Sequence, residues 1–422
     1  MRLRVEGGHP LNGDYRPSGN ANAAIYLLAA SMLTGNPVTL RNMPDTLTIR
    51  TILEIAQQLG AQPIHTVDHS LTIQTEQITR RTLKQSDTAE SLGALLFLAP
   101  ILVRRDYVRV ELDFPLNRVR THLDAMRDLG FDIVSQEGAF ECRSVQWDYK
   151  DIILSQTSVT ATAIVMMLAA CFGKETVVHN AASEPHLQQL AHFLEGMGAQ
   201  IHGVSSNVLR IFGATATLHG TTFTIGPDHI ETASIAALGA LSGGRVHLVE
   251  TRQPDLRMIA KVYERLGLRL DVDEHDVFVP RHDTLTLSDR GEDVDLSIET
   301  SPWPGFPSDL VAMATIIATQ ARGTALIHEK LYANRLLFVD KLKAMGAQIV
   351  LCDPHRAIVV GPTPLQAIYM DTPDVRTGLG MLSAALLAHG ESVIDNAEAL
   401  KRNFDGVVGK LQALGAKVSY EQ

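Results

Sequence analysis

Residues 191–204 read AHFLEGMGAQIHGV, and the same arrangement occurs six times along the chain. In each copy an amphipathic helical segment runs into Leu or Met, then Gly, then a stretch with alternating apolar residues. Glycine suits the residue after the last helical turn, because that position often needs a positive φ. The alternating stretch is typical of a half-buried strand. The six glycines are Gly60, Gly130, Gly198, Gly267, Gly346 and Gly415, at intervals of 70, 68, 69, 79 and 69 residues.

A second helical element lies between these glycines, and residues 159–181 (VTATAIVMMLAACFGKETVVHNA) are an example. It consists of a helix rich in small apolar residues, usually a glycine turn, and then a strand. Because such a helix is apolar on all faces, we expect it to be buried. Similar segments cover residues 21–42, 230–250, 308–329 and 375–397. Each of the six units is therefore predicted to hold one buried helix, one half-exposed helix and about four strands.

The length of the repeat indicates how the units are arranged. A period of about 70 residues exceeds the 20–50 residues of solenoid repeats, so we expect globular domains instead. Six units divide into two domains of three units each, with the buried helices in the middle and the sheets outside. A chain of 422 residues is also long enough for two or three domains.

The composition is typical of a soluble globular protein, with 45% hydrophobic and 20% charged residues. Asp and Glu outnumber Lys and Arg by 47 to 37, which gives a net charge of −10 and argues against nucleic acid or an anionic membrane as a partner. The longest nearly uncharged apolar run, residues 91–103, is shorter than the roughly 20 residues of a membrane span. The first residues lack the apolar core of a secretory signal. We therefore expect a cytoplasmic protein.

The three cysteines are Cys142, Cys171 and Cys352. Their odd number and wide spacing indicate neither a disulfide framework nor a zinc site. We interpret all three as structural.

Polar residues lie at or near the start of each small-residue helix. They are Asn22, Ser158 with Thr160, Glu231 with Thr232, Ser308 with Asp309, and Asp374 with Arg376. Capping of free backbone N–H groups explains any one of them. Alternatively, several helix N-termini that reach one surface would form an anion site from their N–H groups and dipoles. The sequence leaves both interpretations open.

Three arginines close to apolar segments fit the second interpretation: Arg335, Arg376 and Arg402. A buried guanidinium must meet a carboxylate or an anionic ligand, so structural ion pairs are the equal alternative. The segment TSPWPGFPSDL (300–310) places a rigid loop with three prolines and one glycine before Asp309. This aspartate either caps a helix or, if it faces a substrate hydroxyl, acts as a general base.

Taken together, several segments resemble the enolpyruvyl transferases along essentially the whole chain, and most closely the members that act on UDP-N-acetylglucosamine. They are SGNANAA (18–24), SVTATAIVMMLAA (158–170), NAASEPHLQQLAHFLEGMGAQI (180–201), PDHIETAS (227–234), QPDL (253–256), PGFPSDLVA (304–312), ANR (333–335) and DVRTGLG (374–380). The resemblance implies an α/β fold, a two-domain inside-out α/β barrel of six βαβαββ units around buried parallel helices. One domain would comprise residues 21–227 and the other residues 1–20 and 228–422, with the active-site cleft between them.

The resemblance also implies a reaction. The enolpyruvyl (carboxyvinyl) group of phosphoenolpyruvate would pass to a hydroxyl of UDP-N-acetylglucosamine with release of phosphate, in peptidoglycan precursor synthesis. Asp309 matches the family's base, and three arginines match those that hold the carboxylate and phosphate: Arg335, Arg376 and Arg402. The residues around the acceptor would be Asn22, Ser158, Val159, Glu184, Glu231 and Asp309. The family needs no metal or organic cofactor, and we expect small-molecule substrates and a monomer or weak homo-oligomer.

The sequence also departs from the family pattern. Ala21 stands where the family has a lysine that contacts phosphoenolpyruvate. Residues 109–126 (RVELDFPLNRVRTHLDAM) replace a longer glycine-rich loop, whose Cys or Asp donates a proton and whose Cys is alkylated by fosfomycin. Asp113 is the candidate acid in this stretch. The candidates for the uridine contact are Arg118, Arg120 and His122.

Further cations of the family are replaced by Leu92 and Gln156, and Thr160 stands where the family has a glycine. Each lost charge-assisted contact is worth ~1.5–3 kcal/mol. These departures leave two alternatives beside the implied reaction. One is an enzyme of this fold that acts on another acceptor in specialised metabolism, and the other is a non-catalytic paralogue that binds a ligand.

Overall fold

The computed structural model describes residues 1–67, 69–287, 296–371 and 378–421. The strands of the described residues form six four-stranded sheets. In chain order these strands are β1 (Arg2–Glu6), β2 (Asn12–Tyr15), β3 (Val38–Arg41), β4 (Gln62–Val67), β5 (Ser70–Gln74), β6 (Thr82–Leu83), β7 (Tyr107–Glu111), β8 (Asp132–Gln136), β9 (Ala139–Arg143), β10 (Trp147–Ile153), β11 (Gly173–His179), β12 (Gln200–His202), β13 (Val208–Phe212), β14 (Thr222–Thr224), β15 (Arg245–Leu248), β16 (Asp271–Val272), β17 (Val277–Val279), β18 (Ser297–Glu299), β19 (Gly323–His328), β20 (Gln348–Asp353), β21 (Arg356–Gly361), β22 (Tyr369–Asp371), β23 (Glu391–Asp395) and β24 (Lys417–Glu421).

All six sheets have the same plan. An edge strand pairs in parallel with an inner strand, which pairs antiparallel with the next, and a second antiparallel pair forms the other edge. This last pair is a hairpin in five sheets, whereas in the sixth it joins β1 to β24 from opposite ends of the chain. The strand orders are β14-β3-β5-β4, β6-β7-β9-β8, β10-β11-β13-β12, β2-β15-β17-β16, β18-β19-β21-β20 and β22-β23-β1-β24. The repeated plan confirms the six units expected from the glycine-centred signature.

The α-helices fill the segments between the strands. They are α1 (Ala21–Ser31), α2 (Leu47–Gln58), α3 (Gln85–Glu90), α4 (Leu98–Arg105), α5 (Arg120–Leu129), α6 (Val159–Phe172), α7 (Pro185–Gly196), α8 (His229–Leu241), α9 (Gln253–Arg265), α10 (Val311–Gln320), α11 (Val339–Ala344), α12 (Gly378–Leu387), α13 (Glu398–Asn403) and α14 (Val407–Ala413), with 3-10 turns at Leu92–Phe97, Leu116–Val119 and Ser308–Leu310. None of the helices in the described ranges is both long and apolar enough to span a membrane.

The chain divides into two compact units. The continuous unit comprises residues 19–226, and the discontinuous unit comprises residues 1–18 and 227–422. Each holds three of the six sheets and one hydrophobic core. In the discontinuous unit α8, α10 and α12 pack against one another. Every residue of α12 except the last is buried, which confirms the prediction of small-residue helices in the interior.

The signature glycines have the backbone conformation that the sequence predicts. All six have a positive φ, between +84° at Gly267 and +115° at Gly198. At Gly267 a Cβ atom would also lie 2.4 Å from the carbonyl oxygen of Thr286. A side chain at this position would therefore be strained by both its backbone conformation and its neighbour.

Candidate functional site

The discontinuous unit brings Asp309 and Arg335 together. Asp309 lies in the 3-10 turn Ser308–Leu310 that leads into α10, and its side chain is 36% exposed. Arg335 is buried, and its Nη1 donates a hydrogen bond of 3.0 Å to Asp309 Oδ1. The guanidinium carbon lies 4.8 Å from the centre of the Tyr332 ring. The aspartate is thus held by a cation on one side while a ligand hydroxyl can still approach it.

The structure bears on one of the two roles that the sequence left open for Asp309, that of a helix cap. The residue before the 3-10 turn is Pro307, and no side chain caps this turn. Asp309 lies within the turn and pairs with Arg335 instead. Capping is therefore the wrong interpretation for Asp309, whereas it is confirmed for Ser158, whose Oγ accepts from the N–H of Ala161 at 3.3 Å.

Of the other two predicted arginines of this unit, the structure describes one. Arg402 is exposed in α13. Arg376, together with Asp374, lies outside the described residues. Among the predicted arginines in the described part of the chain, Arg335 is thus the one paired with the proposed base.

Glu231 is held by protein donors in the first turn of α8, where it is 1% exposed. Tyr15 Oη donates a hydrogen bond of 2.6 Å to its carboxylate, and Lys410 Nζ donates one of 3.0 Å. The backbone N–H of Ser18 lies 3.3 Å from the second carboxylate oxygen. Burial raises the pKa of Glu231 against the opposing effect of Lys410. The cap of α8 is Asp228, so capping is the wrong interpretation for Glu231.

Sequence reasoning missed Lys410, although it lies within the sixth signature copy, on α14. An amphipathic helix predicts a polar face but not which cation on it meets a carboxylate 179 residues away. The structure therefore adds a cation beside Ser18, at the start of the SGNANAA stretch that contains no charged residue.

His229 was also missed by sequence reasoning. It is the first residue of α8, and its ring packs edge-to-face against Trp303 at a centroid distance of 5.6 Å. Burial lowers the pKa of His229, although the nearby carboxylates of Asp255 and Asp309 oppose this shift. A neutral imidazole therefore lies in the electrostatic neighbourhood of Asp309. The only available signal was its place between two acidic residues in PDHIETAS.

In the continuous unit the predicted acceptor residues lie at helix starts. Asn20 rather than Asn22 caps α1, accepting from the N–H of Ala23 at 2.9 Å, while Asn22 is exposed in the first turn. Val159 is the half-buried first residue of α6. Glu184 is the residue before α7, a helix that packs against both α1 and α6. The exposed and half-buried positions of this set suit contact with a ligand.

The connection between β7 and α5 is short and contains a 3-10 turn. β7 ends at Glu111, the 3-10 turn begins at Leu116, and α5 follows from Arg120. Arg118 is exposed, and its guanidinium lies 5.6 Å from the centre of the Phe114 ring. The candidate acid Asp113 is exposed as well.

Of the three predicted uridine contacts, His122 has a position unlike the others. Arg120 is 81% exposed beside Asp124, whereas His122 is buried on the inner face of α5. His122 Nε2 lies 2.7 Å from Thr160 Oγ1 in the first turn of α6. Burial lowers the pKa of His122 to about 4, so it is neutral near pH 7. The structure thus uses this histidine to join two helices.

The cysteines lie apart from these residues. Burial raises the pKa of the Cys142 and Cys171 thiols to about 12, so neither carries a reactive thiolate near neutral pH. Cys352 is exposed on strand β20. In the described ranges no group of three or more His, Cys, Asp or Glu side chains is arranged to hold a metal ion.

Comparisons with known proteins are consistent over nearly the whole chain. The profile of the EPSP synthase (3-phosphoshikimate 1-carboxyvinyltransferase) family matches residues 5–411. The chain is 39% identical over 418 residues to a UDP-N-acetylglucosamine 1-carboxyvinyltransferase of Bradyrhizobium diazoefficiens, covering 98% of this chain and 96% of the relative. It is 37% identical over 421 residues to the Treponema pallidum protein of the same name, covering 98% of both chains.

Solved structures share the fold. The enolpyruvyl transferase NikO from Streptomyces tendae superposes with a TM-score of 0.88 at 22% identity, covering 99% of this chain and 98% of NikO. EPSP synthase from Acinetobacter baumannii superposes with a TM-score of 0.78 at 14% identity, and both chains are fully covered. At these identities the likeness concerns the fold alone, and it confirms the predicted inside-out α/β barrel.

Proposed function

Because this chain belongs to the EPSP synthase family of enolpyruvyl transferases, we propose that it transfers the enolpyruvyl (carboxyvinyl) group of phosphoenolpyruvate to a hydroxyl of UDP-N-acetylglucosamine. The reaction releases phosphate and supplies a peptidoglycan precursor in the cytoplasm. The observation that carries the proposal is the full-length identity of 33% to 39% to relatives with this activity in their names. The pairing of Asp309 with Arg335 supports it independently.

The reaction proceeds by addition and then elimination. Asp309 accepts the proton of the acceptor hydroxyl, whose oxygen forms a bond to the central carbon of phosphoenolpyruvate. The methylene carbon of phosphoenolpyruvate takes up a proton, which gives a tetrahedral ketal. Loss of that proton and of phosphate from the ketal restores the double bond in the product. A positioned carboxylate contributes about 10²–10⁴-fold to such a proton transfer.

Arg335, Arg376 and Arg402 bind the carboxylate and phosphate of phosphoenolpyruvate. A planar guanidinium donates paired hydrogen bonds to either group, which explains arginine rather than lysine at these positions. The hydrogen bond from Arg335 to Asp309 places this proposed anion-binding cation beside the proposed base.

Asn22, Ser158, Val159 and Glu184 contact the acceptor, and Arg118 and Arg120 contact its uridine diphosphate part. Their support is their location at helix starts or on exposed turns of the continuous unit. Glu231 and His122 are each buried and bonded to other protein groups. We therefore assign them to holding neighbouring residues in place rather than to contacting the acceptor. No metal or organic cofactor enters the reaction.

The test is phosphate release with both substrates present. Purified protein should release phosphate from phosphoenolpyruvate only when UDP-N-acetylglucosamine is added, and mass spectrometry should detect the enolpyruvyl product. Absence of release at high enzyme concentration would contradict the proposal.

A second candidate is the same transfer to another acceptor hydroxyl. One observation that favours it is the hydrogen bond between His122 and Thr160, because it engages a side chain that was expected to contact the uridine. The other is the short connection between β7 and α5. Release that requires a hydroxyl compound other than the nucleotide sugar would establish it. Binding of phosphoenolpyruvate without any turnover would favour the non-catalytic paralogue instead.

A further inference from the structure

We propose that Glu329 is the positioning residue that holds Asp309 and Arg335 in their mutual arrangement. The inference rests on the proposed function, since that assigns the chemistry to these two residues. Neither the family resemblance nor the site prediction singled out Glu329, which is the residue directly after strand β19.

The Glu329 carboxylate joins two segments of the chain. It is 0% exposed, and its Oε2 accepts a hydrogen bond of 2.6 Å from Ser308 Oγ. Its Oε1 accepts from the backbone N–H groups of Leu331 and Tyr332, at 2.8 and 3.1 Å. Ser308 directly precedes the proposed base, and the second segment runs on to Arg335.

These contacts form a closed ring. From Glu329 one arm passes through Ser308 to Asp309, and the other passes through the turn at Tyr332 to Arg335. The ring closes where Arg335 Nη1 donates to Asp309 Oδ1 at 3.0 Å and the guanidinium lies 4.8 Å from the Tyr332 ring centre. A shift of either arm therefore moves the proposed base relative to the proposed anion-binding cation.

The backbone around Glu329 is itself fixed. Its N–H donates to the carbonyl oxygen of His355 at 2.8 Å, and its own carbonyl oxygen lies 2.8 Å from His355 Nδ1. The next N–H, of Lys330, donates to the buried Thr300 Oγ1 at 2.9 Å. Glu329 thus extends from the hydrogen-bonded sheet β18-β19-β21-β20, which gives both arms a common anchor.

The chemistry of the side chain fits this role. A buried carboxylate is stable only when its oxygens accept hydrogen bonds, and here both oxygens do so. None of the ion pairs in the described part of the chain includes Glu329, so neutral donors satisfy it. Glutamine at position 329 keeps the shape of the side chain and one acceptor oxygen. Alanine removes the hydrogen bonds to both segments.

The first test compares Glu329→Ala and Glu329→Gln in phosphate release. A misplacement of about 1 Å costs roughly 10²-fold in rate. We expect kcat of the alanine variant to fall by about that factor with little change in KM for the acceptor, and the glutamine variant to recover most of it. Equal kcat in wild type and the alanine variant would overturn the proposal.

The control is Asp87→Ala in the continuous unit. Asp87 is also a buried carboxylate that joins a side chain to a backbone, accepting from Arg80 at 2.7 Å and from the N–H of Lys84 at 2.8 Å. It should lower the melting temperature without lowering kcat. If Asp87→Ala reduces kcat as much as Glu329→Ala, the loss reflects general destabilisation and the proposal is wrong.

Hydrogen exchange gives a readout that does not depend on turnover. In Glu329→Ala the amides of Leu331 and Tyr332 and those of the 308–312 segment should exchange faster together. Unchanged exchange would overturn the positioning role even if the protein is active. If the wild type is inactive but Glu329→Ala still exchanges faster in both segments, the proposed function is refuted and the positioning role of Glu329 is not.

If Glu329→Ala does not fold, Ser308→Ala carries the test. It removes only the 2.6 Å bond of one arm, so we expect a smaller fall in kcat and faster exchange of the 308–312 segment. Unchanged kcat and exchange in Ser308→Ala would overturn the proposal.

Discussion

The two units of this protein have the same sheet plan, but the starts of their small-residue helices carry different polar groups. In the discontinuous unit, buried or half-buried charged groups meet one another, as Asp309 meets Arg335 and Glu231 meets Lys410. In the continuous unit, neutral caps hold the starts of the small-residue helices α1 and α6, Asn20 at α1 and Ser158 at α6. Identical architecture therefore does not imply identical chemistry.

This difference between the units coincides with the positions at which the sequence departs from the family pattern. Ala21, Gln156 and Thr160, three of the departures that the resemblance implies, all lie in the continuous unit. We interpret the discontinuous unit as the part that retains the reaction and the continuous unit as the part in which substrate contacts have changed. Four substitutions and treatments test this contrast.

The largest expected effect is that of Asp309→Asn. The amide cannot accept the hydroxyl proton as a carboxylate does, so phosphate release should fall by about 10³-fold. Steady-state kinetics with both substrates measures it, and Asp340→Asn, an exposed change in the same unit, is the control. Full activity of Asp309→Asn would show that the charged cluster of the discontinuous unit does not carry the chemistry.

His122→Gln tests the neutral contact at the start of α6 in the continuous unit through its pH dependence. Burial lowers the pKa of His122 from 6.5 to about 4, so the unfolded state binds more protons as the pH falls. Its contribution to stability is complete above pH 6.5 and is lost as the pH falls from 6.5 to about 4. Removing the imidazole should therefore reduce the acid-induced loss of unfolding free energy by about 3 kcal/mol.

Denaturant unfolding at several pH values between 7 and 4 measures this loss. The exposed His219→Gln serves as the control and should have the pH dependence of the wild type. An identical pH dependence of His122→Gln would mean that His122 is not a buried neutral group.

Ala21→Lys tests whether a cation at the start of α1 increases kcat/KM. Ala21 is the first residue of α1, and a lysine there would supply the cation that the resemblance implies at this position. A charge-assisted contact of ~1.5–3 kcal/mol corresponds to about a 10–100-fold gain in kcat/KM. Ala21→Met, of similar length without charge, is the control. No gain in the lysine variant would favour a different acceptor or different chemistry.

The smallest expected effect is that of fosfomycin. No cysteine lies in the 109–126 segment, and burial raises the pKa of the Cys142 and Cys171 thiols to about 12. We expect no mass increase after incubation with fosfomycin, with or without the acceptor. A covalent adduct on any of the three cysteines would refute this prediction.

Much of the fold could be predicted because it depends on local signals that recur. Six glycines with positive φ after amphipathic helices, and helices apolar on all sides, mark every unit in the sequence. The resemblance singled out Asp309 and Arg335 one by one, but their hydrogen bond to each other was not predicted from the sequence. Capping was less predictable, since Asp228 and Glu231 are both acidic and near the start of α8, and only the backbone geometry selects Asp228.

The sequence by itself determined the repeat, the burial of the small-residue helices and the residue types available for the reaction, because these follow from periodicity and composition over short distances. Only the tertiary structure decided which polar groups meet. Lys410 reaches Glu231 across 179 residues, His122 reaches Thr160 across 38, and Glu329 reaches Ser308 across 21. Such contacts depend on the packing of separate elements, which no local pattern specifies.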